Sequence, residues 1–220
     1  MSGRPLSKWA VLAAVFTLGV LADQGSKFLA VDRLTTAFQR VGAETPGQKF
    51  EAFWRLRHLE PLASESFYVY RPLWRMHYVE NPSAAFGFLG FVPHGARYAL
   101  FIVISIAAVA FVVHYYRRLE ARQRLLQMAL AFVAAGTVGN LIDRLARRYV
   151  IDFVDWYWWN RPDLYWPTFN VADSLLVVGI GLLLLQPSRQ AGAGRAGGGL
   201  GNHKGGLGRL KLPCTRSSSR

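Results

Sequence analysis

Four long apolar runs limit the folds open to this chain more than any other feature of its sequence. They lie at about 9–31, 96–116, 125–142 and 168–186. Each is close to the roughly 20 residues with which an α-helix crosses about 30 Å of hydrocarbon. Of all residues 52% are apolar and only 18% are charged, which is a high apolar content for a soluble domain. The sequence therefore predicts an all-α polytopic membrane protein with four transmembrane helices.

The first apolar run is expected to be retained as a transmembrane helix. Arg4 and Lys8 precede it, as cations precede the apolar core of a secretory signal. The run is too long for such a signal, however, and it ends in Asp23, Gln24 and Lys27 without a small-residue cleavage site. We therefore count it as the first of the four spans.

The distribution of cations predicts how the chain is oriented in the membrane. Lysines and arginines collect before the first run, between residues 117 and 124, and in the tail after residue 187. With four spans these three regions lie on one side, so the positive-inside rule predicts that both termini are cytoplasmic. The opposite side also has arginines, which makes the bias partial. A net charge of +13 would suggest a nucleic-acid partner for a soluble protein, but here we expect none.

The segment at about 32–95 is predicted to be extracytoplasmic and to contain β structure. Five prolines are scattered through it, so a long uninterrupted helix is excluded. Aromatic and β-branched residues cluster at 66–70 and 74–79, which favours two short strands. We therefore expect a small β-containing segment between transmembrane helices 1 and 2.

The chain after Gln186 differs in composition from everything before it. Residues 187–220 are rich in glycine and basic side chains, and such a segment cannot bury enough apolar surface to fold. We expect a transmembrane domain at 1–186 and a disordered cytoplasmic tail at 187–220 that contacts anionic phospholipid. The single cysteine, Cys214, excludes an internal disulfide, and the histidines have no zinc-ligand spacing. No metal and no cofactor are predicted.

Polar side chains occur at matched depth near one end of several predicted spans. Such groups are costly at the edge of hydrocarbon unless they face protein or water, so intramembrane acids indicate function. Helical spacing puts the following residues on shared faces: Asp23 with Lys27, which can form an ion pair; Gly136 with Asn140 and Asp143; and Asn170 with Asp173. Asp152 precedes the fourth run among aromatic residues. We take Asp152 and Asp173 as the candidate catalytic pair.

Three functions remain compatible with these acids when the pattern is taken alone. They could form a catalytic site, they could carry protons or ions in a transporter, or they could hold the helices of a scaffold together. The sequence shows no internal repeat of the kind found in many transporters. The second span has no acid and is predicted to be part of the scaffold.

Five short blocks of this sequence resemble the bacterial lipoprotein signal peptidases, signal peptidase II. They occur in the order and approximate spacing of that family, over about residues 9 to 186. The blocks are Asp23-Gln-Gly-Ser-Lys27, Asn81-Pro-Ser-Ala-Ala-Phe-Gly87, Gly139-Asn-Leu-Ile-Asp-Arg144, Val150-Ile-Asp-Phe153 and Phe169-Asn-Val-Ala-Asp173.

The resemblance implies an aspartyl endopeptidase of the bacterial inner membrane with four transmembrane helices. Such an enzyme removes the signal peptide from prolipoproteins, cutting just before a cysteine modified with diacylglycerol. The implied catalytic acids are Asp152 and Asp173. The residues implied to support or line the site are Asp23, Lys27, Asn81, Asn140, Asp143, Arg144, Asn170 and Ala172. The expected protein is a monomer that needs no cofactor, contacts lipidated prolipoprotein and membrane phospholipid, and has its active site near the periplasmic face.

The chain departs from the family pattern in two places. Ser83 stands where the family usually has glycine, which could alter the contact made by the loop after Asn81. The segment between the first two spans is longer than expected by roughly two dozen residues, between about 36 and 70. This extra length could reshape a substrate cradle or dock a partner.

Overall fold

The computed structural model describes residues 7–57, 65–82, 93–159 and 161–186, with the side chains of His94 and of residues 162–165 left out. The elements in chain order are α1 Lys8–Leu34, α2 Ala37–Arg40, α3 Pro46–Arg55, β1 Phe67–Tyr70, β2 Trp74–Asn81, α4 His94–Arg117, α5 Arg124–Arg147, β3 Val150–Trp158, β4 Arg161–Phe169 and α6 Val171–Leu184. Ser83 and the basic tail lie outside the described residues, so the predictions made for them stay predictions.

Within the described residues, three helices are long and apolar enough to cross a membrane, and a fourth apolar helix is shorter. The long ones are α1, α4 and α5, while α6 is an apolar helix of 14 residues. At 1.5 Å per residue α6 is about 21 Å long. Leu18, Val103 and Val177 on these helices are more than half exposed, as expected of side chains that face lipid. The chain is therefore a membrane protein with several apolar helices, and each of the four predicted runs overlaps one of them.

Helix α5 packs against α1, α4 and α6. Small residues let the backbones approach closely, as is common between membrane helices. A Cβ added at Gly136 would lie 2.4 Å from the carbonyl oxygen of Ala172, at the start of α6. A Cβ at Gly179 would lie 2.8 Å from the carbonyl oxygen of Ala129. These two glycines therefore bring α6 against α5 along most of its length.

The four strands form one antiparallel sheet in the order β1-β2-β3-β4. Strands β1 and β2 coincide with the two strands predicted between the first two spans, and that prediction is confirmed. Two further strands, β3 and β4, follow α5 and were not predicted. The sequence shows an aromatic-rich stretch around Asp152 and places the start of the fourth apolar run at about residue 168. Aromatic and β-branched side chains also suit a pleated sheet, and in this fold these residues belong to β3 and β4.

The sheet packs onto the end of α1 through a shared apolar core. Val31 and Leu34 of α1, Phe38 of α2, Phe53 of α3 and Ile151 of β3 are buried in this core. The segment inserted between α1 and β1 therefore packs against the sheet and α1 in its described parts. This packing fixes β3 relative to α1, and β3 is the strand that contains Asp152.

Candidate active site

Asp152 and Asp173 line the same cavity, which has a volume of ≈ 530 Å³. Asp152 lies on β3, opposite Val79 of β2, and Asp173 lies in the first turn of α6. Polar residues of two further elements also line the cavity, namely Asn81 of β2 and Asn140 and Arg144 of α5. The fold thus brings the two predicted acids together with three of their predicted partners.

Asp152 is held by two side-chain amides and is almost fully buried. Its Oδ2 accepts a hydrogen bond of 2.8 Å from Nδ2 of Asn81, and its Oδ1 accepts one of 2.7 Å from Nδ2 of Asn170. Burial disfavours the charged carboxylate, and the negative charge of Asp173 disfavours it further. The two amide bonds act in the opposite direction, and the net result is that the pKa of Asp152 is raised to about 7. This carboxyl group can therefore hold a proton near neutral pH.

Asp173 and Asn170 form a reciprocal cap at the start of α6. The backbone N–H of Asp173 donates to Oδ1 of Asn170 at 3.0 Å, and the backbone N–H of Asn170 donates to Oδ2 of Asp173 at 3.2 Å. This is a capping box, in which two unpaired donors of the helix end are satisfied together. The prediction that the two residues share a helix face is wrong in detail, because Asn170 precedes the helix as its N-cap.

Asn140 joins the two halves of the site from α5. Its Nδ2 donates to Oδ1 of Asp173 at 2.8 Å, and its Oδ1 accepts from Nδ2 of Asn170 at 3.1 Å. Since Asn170 also donates to Asp152, a chain of amides connects the two carboxyl groups. The two acids are therefore linked to each other through Asn170 and Asn140.

Behind this chain lies the buried ion pair that the i, i+4 spacing on α1 predicted. Nζ of Lys27 is 2.8 Å from Oδ2 of Asp23 and 2.8 Å from Oδ2 of Asp143. It also donates to Oδ1 of Asn140 at 3.1 Å. Asp23 in turn accepts a bond of 2.9 Å from the backbone N–H of Ala172. The side chain of Asn140 thus lies between the ammonium of Lys27 and Asp173. The ammonium offsets part of the negative charge of the buried carboxylates of Asp23 and Asp143.

Two members of this buried network were not predicted as site residues. Gln24 donates to Asp23, at 3.0 Å, and to Asp143, at 3.1 Å. Arg147 donates to Oδ1 of Asp143 at 2.8 Å and to the backbone carbonyl of Phe53 at 3.1 Å. The spacing of Asp143 and Arg147, i and i+4 on one helix, was the signal that could have identified the arginine.

Arg144 points into the cavity beside the acids. It donates to the backbone carbonyl of Asn140 at 3.2 Å, and its guanidinium lies over the ring of Phe101 with 5.0 Å to the ring centroid. Phe101 belongs to α4, which also contributes Ser105 and Ala108 to the cavity wall. The second span, predicted to be part of the scaffold, thus also forms one side of this cavity.

Asp155 does not join the candidate pair. In a strand, residues at i and i+3 point to opposite faces of the sheet. Asp155 accordingly turns away from Asp152 and forms an ion pair with Arg75 of β2. It is buried like Asp152 but belongs to a different cluster.

Comparison with known proteins shows to which family the chain belongs. The family model for Signal peptidase (SPase) II, Peptidase_A8, matches residues 15–188. A lipoprotein signal peptidase of Anaeromyxobacter sp. (strain Fw109-5) is 56% identical over 194 residues, which is 88% of this chain and 92% of the relative. That of Geobacter metallireducens is 40% identical over 181 residues, or 82% of this chain and 92% of the relative.

Solved structures with the same fold include two described as bacterial membrane enzymes obtained by the in meso method. One has a TM-score of 0.57 at 21% identity and covers 79% of this chain and 89% of its own. The other has a TM-score of 0.54 at 23% identity and covers 79% and 84%. At this identity they support the fold alone. The family match and the two long alignments go further, and this chain belongs to the signal peptidase II family of aspartic peptidases.

Proposed function

We propose that Asp152 and Asp173 are the catalytic carboxyl groups with which this signal peptidase II cleaves the signal peptides of prolipoproteins. The observation that carries the proposal is the shared cavity, in which both acids are linked through Asn170 and Asn140. A raised pKa at Asp152, caused by burial and by the charge of Asp173, supports a pair that shares one proton.

In the proposed reaction one carboxyl group is ionised and the other is protonated. The ionised group removes a proton from a water molecule, whose oxygen then attacks the carbonyl carbon of the scissile amide. The protonated group donates a hydrogen bond to the carbonyl oxygen and stabilises the negative charge that develops there. Collapse of the tetrahedral intermediate breaks the carbon–nitrogen bond, and the leaving amine takes up a proton from the carboxyl pair. Two neighbouring carboxyl groups in a medium of low dielectric constant favour this arrangement, because repulsion between two negative charges disfavours ionisation of both.

The apolar lining of the cavity supports a lipid-modified substrate. Apolar side chains form much of the cavity wall, among them Ile104 of α4, Val133 of α5, and Leu176 and Ile180 of α6. We propose that this wall contacts the acyl chains and the signal helix of a diacylglyceryl-modified prolipoprotein. The scissile bond, just before the lipidated cysteine, then lies between Asp152 and Asp173.

The supporting residues have distinct proposed tasks. Asn81, Asn140 and Asn170 orient the two carboxyl groups through the amide bonds described above. Asp23, Lys27 and Asp143 hold the helices around the site, with Ala172 contributing its backbone N–H. Arg144 adds positive charge to the cavity wall, where it can attract the polar part of the substrate.

The proposed topology has four transmembrane helices, α1, α4, α5 and α6, within a domain at 1–186. The exposed apolar side chains of α6, including Val177 and Leu184, support its place as the fourth. Positive charge before α1, after α4 and beyond α6 supports cytoplasmic termini in a bacterial inner membrane. On this topology the carboxyl pair lies near the periplasmic face. We propose that the enzyme acts as a monomer within phospholipid.

The test is cleavage of a diacylglyceryl-modified prolipoprotein by protein purified in detergent. Wild type is compared with Asp152→Asn and Asp173→Asn, and with Asp155→Asn as a matched control on the same strand. We expect both cavity variants to lose at least about a thousandfold in rate, since neither retains a carboxyl pair. Asp155→Asn keeps most of the activity, because its partner Arg75 is outside the cavity.

Two further measurements make the result decisive. Thermal unfolding checks that each variant is folded, and the unlipidated precursor checks that the substrate is recognised through its lipid. If folded Asp152→Asn or Asp173→Asn protein cleaves at the wild-type rate, the catalytic assignment is wrong. If wild type cleaves the unlipidated precursor equally well, the proposed role of the apolar wall is wrong.

A further inference from the structure

Helix α3 has two exposed edges of opposite character. Phe50 and Trp54, at i and i+4, form one edge, with 59% and 37% of their surface exposed and ring centroids 6.0 Å apart. The other edge consists of Glu51 and Arg55, each next in sequence to a residue of the aromatic edge. Nη2 of Arg55 lies 2.7 Å from Oε1 of Glu51. Between these edges and the core lies Phe53, which is only 1% exposed. The helix thus packs into the core through Phe53, and its exposed surface has an aromatic edge and a charged edge.

Contacts of three basic side chains attach α3 and the residues after it to the ends of two membrane helices. Nζ of Lys49 lies 2.6 Å from Oδ1 of Asp32 in the last turn of α1. Arg147, the last residue of α5, donates to the carbonyl of Phe53 and has its guanidinium 3.9 Å from the Phe53 ring centroid. Arg57 donates to the carbonyl of Ala146 at 2.5 Å. Helix α3 is therefore held at the level where α1 and α5 end.

The apolar surfaces of α1 and α5 continue outward to this level. Leu29, less than two turns before the end of α1, is 55% exposed, and Leu145, near the end of α5, is 57% exposed. On helices that cross a membrane, such side chains face acyl chains. The level of α3 is therefore the boundary between acyl chains and headgroups, where aromatic side chains are enriched.

We propose that α3 is an interfacial helix whose Phe50–Trp54 edge inserts among the phospholipids surrounding the end of the bundle at which the site lies. Residues 37–57 contain four Lys or Arg against two Glu, and this excess of positive charge suits phosphate headgroups. The charged edge of Glu51 and Arg55 faces water. The partner is lipid of the host bilayer, bound through apolar burial and charge. This proposal requires that α1 and α5 span the membrane, and it is independent of the catalytic assignment.

Depth measurements with a fluorescent label test the two edges against each other. Replacing the single cysteine, Cys214→Ser, allows a thiol-reactive NBD label to be placed at Phe50→Cys or, as the matched control, at Glu51→Cys. The protein is reconstituted in vesicles of phosphatidylethanolamine and phosphatidylglycerol. A nitroxide near the headgroup end of an acyl chain and aqueous iodide serve as quenchers. Cleavage of lipidated prolipoprotein confirms that each labelled protein is folded.

The proposal predicts opposite quenching at the two positions. The label at position 50 is quenched several-fold more by the lipid nitroxide than the label at position 51, and iodide gives the reverse order. Trp54→Cys, on the same edge as Phe50, repeats the result for position 50. If iodide quenches both edges equally, α3 lies in water and the proposal is wrong. If neither quencher reaches position 50 or 54, a protein surface such as a second copy covers the edge, and lipid is not the partner.

Discussion

The residues around Asp152 determine whether its carboxyl group holds a proton. Burial and the neighbouring charge of Asp173 raise its pKa, while Asn81 and Asn170 stabilise its charged form. The carboxyl group is therefore poised to exchange its proton near neutral pH, which general acid–base chemistry requires. The same shift has a consequence for stability that does not depend on any substrate.

Stability should fall as Asp152 ionises. Its folded pKa of about 7 lies above the ordinary value of 3.8, so between these values the folded state binds more protons than the unfolded state. The free energy of unfolding then decreases as pH rises through this window, and levels off above it. Asp152→Asn removes the ionisable group, so its unfolding temperature relative to wild type should rise from about pH 4 to about pH 7. Thermal unfolding in detergent across this range measures the difference, and parallel curves would contradict the raised pKa.

Asn170 combines two roles that a matched variant can separate. Asn170→Ala removes the N-cap of α6, which costs about 1 kcal/mol, and also removes the amide bonded to Asp152. Thr45→Ala removes the N-cap of α3, where no acid of the candidate pair is involved. We expect a larger loss of stability for Asn170→Ala, because it also leaves buried acceptors of Asp152 and Asn140 without their donor. A loss of activity of about a hundredfold is expected only for Asn170→Ala, because an unoriented carboxyl group reacts slowly. Equal activity in the two variants would show that Asn170 is only a cap.

Residue spacing predicted some of these contacts and could not predict others. The pair Asp23–Lys27 was predictable because an i, i+4 spacing on a helix brings side chains together regardless of the rest of the fold. The hydrogen bonds of Gln24 required the distance between α1 and α5, which a single sequence does not contain. The cavity-lining residues of α4 have the same apolar composition as its lipid-facing residues, so sequence could not distinguish the two surfaces.

At the scale of elements, the acids depend on how closely α6 approaches α5. Gly136 faces the first turn of α6, next to Asp173. The fourth apolar run predicted that this helix exists, but not that it begins three residues later than Thr168, after a strand. The strands at residues 150–169 could not be identified from the sequence, because membrane interface and sheet both favour Trp, Tyr and Phe. Only the pairing of β3 with β2 and β4 distinguishes the two.

Gly136→Ala should displace α6. The added Cβ would lie 2.4 Å from the carbonyl oxygen of Ala172 and 2.8 Å from Cγ of Leu176, and backbone cannot give way as a flexible side chain can. We expect a loss of about 1–3 kcal/mol in stability together with a marked fall in cleavage rate. Gly181→Ala is the control on α6 itself, since a Cβ there meets nothing within 4 Å among the described residues. Unfolding and cleavage assays on both variants measure the effect; equal behaviour would mean that α5 and α6 are less closely packed than described.

At the scale of the whole molecule, one buried ionic network ties the membrane helices to the sheet. Lys27 and Arg147 offset the charges of Asp23 and Asp143, and all four side chains are fully buried. Asp143 also accepts from the backbone N–H of Ile151 in β3, at 3.1 Å. Such a network is stable only while its charges balance, because an unpaired buried ion is strongly disfavoured. The arrangement of the bundle therefore depends on this balance more than on any single contact.

Lys27→Met tests the balance of charge in this network. It leaves Arg147 as the one cation of these four side chains against the two carboxylates of Asp23 and Asp143. We expect a loss of about 3–5 kcal/mol in the free energy of unfolding, measured in mixed detergent micelles. Arg55→Met is the control, since it breaks the exposed pair with Glu51 and should change stability little, because water screens such pairs. Adding Asp23→Asn to Lys27→Met removes the excess charge and should recover part of the loss. If the double variant is as unstable as the sum of the single variants, packing around Lys27, and not charge balance, holds the bundle together.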